Sequence, residues 1–307
     1  MKRALSVLFG VIASGATASG AIPSDAIAAA ASAADPHVRI AATSASRSIA
    51  EPLFDEGRAT DPYFDAFYAD MVERLPTQER VERALELAIN RREGAAAYVI
   101  RNAQRWRGSF GPGERLDALV GLGGDSPLIE VRMAAFEVRL AEFGLEKSRA
   151  QVDRLVRQMA DDPQRFSAWA LWNLGLLGAR GVERERILPE LLSAAHAGDE
   201  SLRRWAVEAL AMFGGVESIP PLLDVAAHEP SPRVRERAFC ALAQSGTLHL
   251  AERYEAVPGL FAIASDARGD RRSVSWAFQA LREITGIRGL DDDAASWQSR
   301  LEQANLL

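Results

Sequence analysis

Between residues 199 and 215 the chain reads DESLRRWAVEALAMFGG: an acid, an apolar stripe, then paired glycines. Leu202, Ala206, Ala209, Leu210 and Phe213 fall at i, i+4, i+7, i+8 and i+11, one face of an α-helix. The pattern recurs. With Ala206 as position zero, FSAWALWNLGLLG puts Ala170 at zero, Phe166 at −4, Leu174 at +4 and Gly178 at +8. VRERAFCALAQSG does the same with Val234, Ala238, Leu242 and Gly246. SVSWAFQALREITG follows with Ala277, Leu281 and a glycine, Gly286, one residue late, and VRMAAFEVRLAEFG is a weaker copy around Ala135 that closes on Gly144. The zero positions lie 35, 36, 32 and 39 residues apart. An interval this long and this regular predicts stacked supersecondary units.

A second series runs upstream. ILPELLSAAH, SIPPLLDVAAH and AVPGLFAIAS each place a proline before an apolar pair, and Pro189, Pro220 and Pro258 precede Ala206, Ala238 and Ala277 by 17, 18 and 19 residues. Proline in a first helical turn loses no hydrogen bond, because those amides have no intrahelical partner, so each proline marks a helix start. AGDES, HEPSP and DARGD supply breakers and capping side chains between the two helices of each unit. Each unit is predicted as helix, turn, helix.

These residues give the chain its likeness. The Val131-Arg132, Leu202-Arg203 and Val234-Arg235 starts, the Ala209-Leu210-Gly214 and Ala241-Leu242-Gly246 finishes, and the closing LREITG (281–286) with Trp297 resemble the HEAT-repeat family, in its bacterial subtype named after phycobilisome lyases. The likeness spans roughly residues 113 to 304, with Phe166-Ser167 and Ser273-Val274 departing from the Val-Arg pair. It implies an all-α fold, a right-handed α-solenoid of helical hairpins, with second helices lining a concave surface where partner proteins dock.

Position −1 of the second helix holds Trp169, Trp205, Arg237 and Trp276, and position +1 holds Leu171, Val207, Phe239 and Phe278. They flank the buried stripe on either side, so Trp169, Trp205, Trp276, Phe239 and Phe278 are expected to pack one unit on the next. The outward positions −2, +2 and +5 supply a candidate partner-binding row of Trp172, Arg204, Glu208, Glu236, Gln279 and Arg282. Ala168, Gly175, Ala211 and Ala243 are expected to leave room between them, and Trp172 is either an exposed anchor or a residue buried against the next unit.

The domain reading follows from composition. Lys2, Arg3 and ALSVLFGVI (4–12) have the order of an export signal. Residues 1–18 are read as that signal, with Ala16-Thr17-Ala18 the cleavage site or Ala31-Ser32-Ala33 a later one; an uncleaved anchor is the alternative. Residues 19–59, rich in Ala and Ser, are expected to be a flexible leader, 60–110 a helical cap ending near GSFGPG, and 111–307 the repeat array. Export would place the protein in the periplasm or outside the cell. No segment after the signal is apolar and long enough for a bilayer span.

Charge narrows the partners. A net charge of −6 and a pI near 5.4 argue against nucleic acid, which requires a basic surface. Chemistry is hard to find. Cys240 is the single cysteine, His196 and His228 sit at equivalent helix ends too far apart to share a metal, and Asp291, Asp292 and Asp293 read as a helix cap. Neither G-x-S-x-G nor H-E-x-x-H nor a phosphate loop occurs. The chain is therefore read as a scaffold or adaptor for another protein, with no cofactor, no metal and no catalysis of its own. A lyase-like or enzyme-accessory role is the alternative that the subtype resemblance carries, and a self-assembling envelope element is the third.

Overall fold

The computed structural model describes residues 66–266 and 268–307. The segments read as an export signal (1–18) and a leader (19–59), and the first residues of the span read as a cap, lie outside them. Every regular element among the described residues is helical. Two compact units divide between Glu146 and Lys147.

The first unit holds α1 (Ala66–Glu73), α2 (Thr77–Ile89), α3 (Ala95–Trp106), α4 (Glu114–Gly124) and α5 (Ile129–Glu142). Its core is a cluster of small and branched side chains, including Val81, Leu85, Val99, Leu116, Val120, Ala135 and Val138. Helices α1, α2 and α3 lie within the span 60–110. The expected break at GSFGPG is a turn inside this unit, because α2 packs on α4 and α3 on α5 across it. Gly123 lets α4 and α5 approach closely: a Cβ there would run into the Ala135 side chain.

The second unit holds α6 (Arg149–Asp161), α7 (Pro163–Ala179), α8 (Arg184–Ala195), α9 (Glu200–Phe213), α10 (Ile219–His228), α11 (Pro232–Ala243), the short α12 (Leu250–Tyr254), α13 (Val257–Ala264), α14 (Arg271–Thr285) and α15 (Ala294–Gln303). Successive hairpins pair α6 with α7, α8 with α9, α10 with α11 and α13 with α14. The second helices α7, α9, α11 and α14 then form a row, each packed on the next. This is an α-solenoid arrangement, in which each hairpin buries its apolar stripe only by stacking on neighbours.

Local chemistry sets the helix ends. Asp162, Asp199, Asp270 and Asp293 stand at N-caps and accept backbone N–H bonds from Arg165, Leu202, Ser273 and Ser296. The paired glycines end α9 because Gly214 and Gly215 have φ of 61° and 77°, torsions that L side chains rarely adopt. Pro220 and Pro258 sit in the first turns of α10 and α13. Pro189 does not: α8 starts a turn and a half earlier, so the ring lies inside the helix, where its nitrogen cannot donate to the Glu185 carbonyl. The other units break at that point instead. A 3₁₀ turn (Val216–Ser218) precedes α10, and α12 precedes α13. In α8 the same lead-in is fused to the helix.

Candidate functional site

The row of second helices is held by contacts between neighbouring flanks. The Phe239 ring on α11 lies 6.0 Å from the Trp276 ring on α14. Phe278 meets Trp297 of α15 at 5.9 Å, and α15 in this way covers the last hairpin. Trp205 and Phe278 are buried, while Trp169 and Trp276 keep part of their surface open. Arg237 stands where its neighbours carry tryptophan. Its guanidinium closes on Glu208 of α9, with Nε–Oε1 and Nη2–Oε2 both at 2.6 Å.

That pair uses Glu208 internally, and the other row candidates divide. Arg204, Glu236 and Gln279 are half-buried, with Arg204 lying over the Trp205 ring at 5.5 Å. Arg282 donates to the Leu290 carbonyl and the Asp292 carboxylate, tying the end of α14 to the loop before α15. Trp172 is 2% exposed, so it is not the open anchor of the sequence reading. The small residues also differ from expectation. A Cβ on Gly175 would meet the Ala209 backbone, and one on Gly246 would meet the carbonyl of Ala211. Gly175 and Ala211 therefore bring backbones close together instead of opening a groove between them.

On the turn side, arginines form a ladder. Arg203, at position −3 of α9, donates to the Ala197 and Gly198 carbonyls of its own turn and to both Glu229 oxygens of the next. Arg235, at −3 of α11, repeats this with the Glu229 and Pro230 carbonyls, then reaches Asp270 and Ser273 of the following unit. Burial works to raise the Glu229 pKa, but Arg203, the Ser231 amide and the charge of Arg235 together hold it below the usual carboxylate range. Val274 and Ser167 occupy the −3 position at α14 and α7, so the departures from the Val-Arg pair are places where the ladder stops.

A second arginine set was not anticipated. Arg253 lies five residues before Pro258 and donates to the carbonyls of Ala241, Leu242, Ser245 and Leu248, closing the end of α11. Arg184 lies five residues before Pro189 and donates to the Gly178 carbonyl at the end of α7, then to Phe213 and Gly214 at the end of α9. Before Pro220 the equivalent residue is Gly215, where a Cβ would strike Arg184. The signal was in the sequence, as an arginine at fixed offset from the proline. It carries no apolar period, so a search for stripes passes over it.

Burial pushes the Cys240 thiol up, with Glu236 and Glu208 adding to it and Arg237 opposing, so thiolate is scarce near neutral pH. His228 bonds Asp224 on the surface of α10, and Asp293 of the acidic trio caps α15. Among the described residues no group of three His, Cys, Asp or Glu side chains could hold a metal ion. An open depression is lined by Arg149, Gly181, Glu183, Arg184, Glu185, Arg186, Pro189 and Glu190, charges of both signs around a broad mouth.

The second unit is thus that of a helical-repeat protein whose recurring −3 arginines tie neighbouring turns together. Residues 152–243, from within α6 to the end of α11, match the family of HEAT repeats, and over that stretch the chain is similar to them. No curated protein matches the chain. No helix among the described residues is long and apolar enough to cross a membrane.

Proposed function

We propose that the protein is an exported scaffold or adaptor that holds a partner protein along its row of second helices and performs no catalysis itself. The observation that carries this reading is the row itself: Arg204, Glu236 and Gln279 stand half-open on α9, α11 and α14, while Glu208–Arg237 and the ring contacts lock those helices together. Mixed charges on a rigid support favour specificity over raw affinity. HEAT repeats serve in general as protein-interaction surfaces, and similarity over 152–243 supports the same use here. The positive end and apolar run at residues 2–12 support export.

The test is capture of a partner from cell-envelope extracts with the mature protein as bait. Arg204→Glu with Glu236→Lys is expected to abolish capture without changing helical circular dichroism or the melting temperature. Glu190→Lys with Asp224→Lys, on the first helices α8 and α10, is expected to leave it intact. The opposite result would place docking on the first helices and overturn the assignment of the face. A lyase-like or accessory role predicts instead that the captured protein gains or loses a covalent modification in the presence of the chain, which intact mass reads directly. Intact Met1–Leu307 recovered from the cytosol would overturn export.

A further inference from the structure

The two arginines that precede prolines differ in one respect that changes what they can do. Arg253 is 5% exposed and donates to four backbone carbonyls, so it is sealed into the fold. Arg184 has a side chain 28% exposed and closes on a carboxylate, Glu217, that is 41% exposed. Its Nε and Nη2 lie 2.9 and 2.6 Å from Glu217 Oε1. Beneath this pair lies the joint between α9 and the 3₁₀ turn that leads into α10. Gly214 (φ 61°, ψ −168°) and Gly215 (φ 77°, ψ 156°) occupy successive torsions open essentially to glycine alone. Neither residue offers a side chain to fix the angle, and Arg184 supplies the fixing from the preceding hairpin.

We propose that Gly214–Gly215 is a hinge within the repeat row and that Arg184, closed on Glu217, is an ionic latch that sets its angle and that salt or a competing charged group releases. The geometry makes the latch specific to this joint. Arg184 ties together the end of α7 through Gly178, the end of α9 through Phe213 and Gly214, and the 3₁₀ turn through Glu217. The guanidinium lies over the Phe213 ring at 3.9 Å, which orients it toward those carbonyls. A Cβ on Gly215 would come within 2.5 Å of both Arg184 Nη2 and Glu217 Oε2, so a side chain here would have to displace the ends of that pair as well as adopt a strained torsion. On the far side of the joint Thr247 holds Met212 and Ala211 through its hydroxyl and amide, leaving the Arg184 side as the one with an exposed ionic contact. An exposed ion pair weakens with ionic strength, whereas bonds sealed from solvent do not. The joint after α9 can therefore loosen while the joint after α11 stays closed.

Amide hydrogen exchange on the full chain, titrated with sodium chloride from about 0.05 to 1 M, reads this directly. The Gly214 amide bonds Leu210 and the Ser218 amide bonds Gly215, whereas Gln244 and Ser245 bond Cys240 beside the sealed arginine. In the wild type, exchange at Gly214 and Ser218 is expected to quicken roughly three- to fivefold with salt, the range of an exposed ion pair, while Gln244 and Ser245 stay constant. Glu217→Gln is expected to exchange fast at Gly214 and Ser218 already at low salt and to ignore further salt. A wild type with salt-independent exchange at Gly214 and Ser218 would overturn the latch. So would a parallel response at Gln244 and Ser245, which would mean general softening, or a Glu217→Gln protein that behaves as wild type. Should that variant fold poorly, the salt titration of the wild type decides alone.

Discussion

Arg237 of α11 and Glu208 of α9 form a bidentate pair, both contacts at 2.6 Å, at the flank where the other second helices place tryptophan. Both side chains are largely buried, so their charges depend on one another. Removing one partner of such a pair leaves an uncompensated buried charge, which costs about 3–5 kcal/mol. Arg237→Ala is therefore expected to destabilise by about 3 kcal/mol in urea titration. Glu208→Leu with Arg237→Trp, which restores the tryptophan flank, is expected to lie within about 1 kcal/mol of wild type, because apolar replacement of a whole buried pair is often neutral. A double variant as weak as the single would show that the pair contributes more than mutual compensation.

Trp205 differs from its counterparts at 169 and 276 in being buried, at 6% exposure. Trp205→Ala is expected to cost about 3–5 kcal/mol, the range for deleting a buried large aromatic. Trp169→Ala and Trp276→Ala should cost less, since part of each ring already faces solvent. Hydrogen exchange should show the Trp205→Ala loss concentrated in α7, α9 and α11, because each hairpin rests only on its neighbours. Equal losses at all three tryptophans would contradict this burial order.

Gly175 lets α7 and α9 approach until a Cβ would collide with the Ala209 backbone. Backbone cannot swing aside as a side chain can, so Gly175→Ala must push the helices apart. The expected loss is about 1–3 kcal/mol, the cost of overpacking, despite alanine's better helix propensity. Gly144→Ala makes a useful comparison, since nothing lies near its Cβ and only its φ of 68° is strained. Thermal melts that show Gly175→Ala more stable than wild type would refute close packing at this crossing.

Acid should weaken the turn ladder with a defined sign. The folded pKa of Glu229 lies below its unfolded value, so its contribution is full above the unfolded carboxylate value of about 4.3 and is lost as pH falls through the lower folded value. Asp270, lowered by its bonds to Ser273 and Arg235, changes in the same direction. Glu142 in the first unit has the opposite sign: burial raises it, with Asp117 adding and Arg139 opposing, so its contribution is present at low pH and fades as pH rises through the folded value. Urea midpoints measured from about pH 6 to 3 should fall for the wild type, and more shallowly for Glu229→Gln. An unchanged slope in that variant would mean that the ladder carboxylate is not the group responsible.

The helical repeat, its turns and its capping acids were legible in the chain because they depend on near neighbours. A 3.6-residue apolar period, an Asp before a helix and a Gly after it act within a turn or two, and Asp199, Gly214 and Asp293 behave as their local context dictates. Which residues flank a stripe at −1 and +1 follows from fixed helical geometry, but what those residues touch does not. What the chain could not display was depth. Trp172 and Arg204 both read as outward residues, yet Trp172 is enclosed and Arg204 stays half-open, because enclosure depends on what lies beside the helix and not on its own angle. The fate of small residues was hidden for the same reason: Gly175 and Ala211 could have floored a groove or admitted a neighbouring backbone, and only the packing of α7, α9 and α11 selects the second. Arg184 joins the carbonyls of Gly178 and Gly214, 36 residues apart, a relation that no local period encodes. Sequence determined the helices and their faces, and tertiary packing determined which of those faces remain available to a partner.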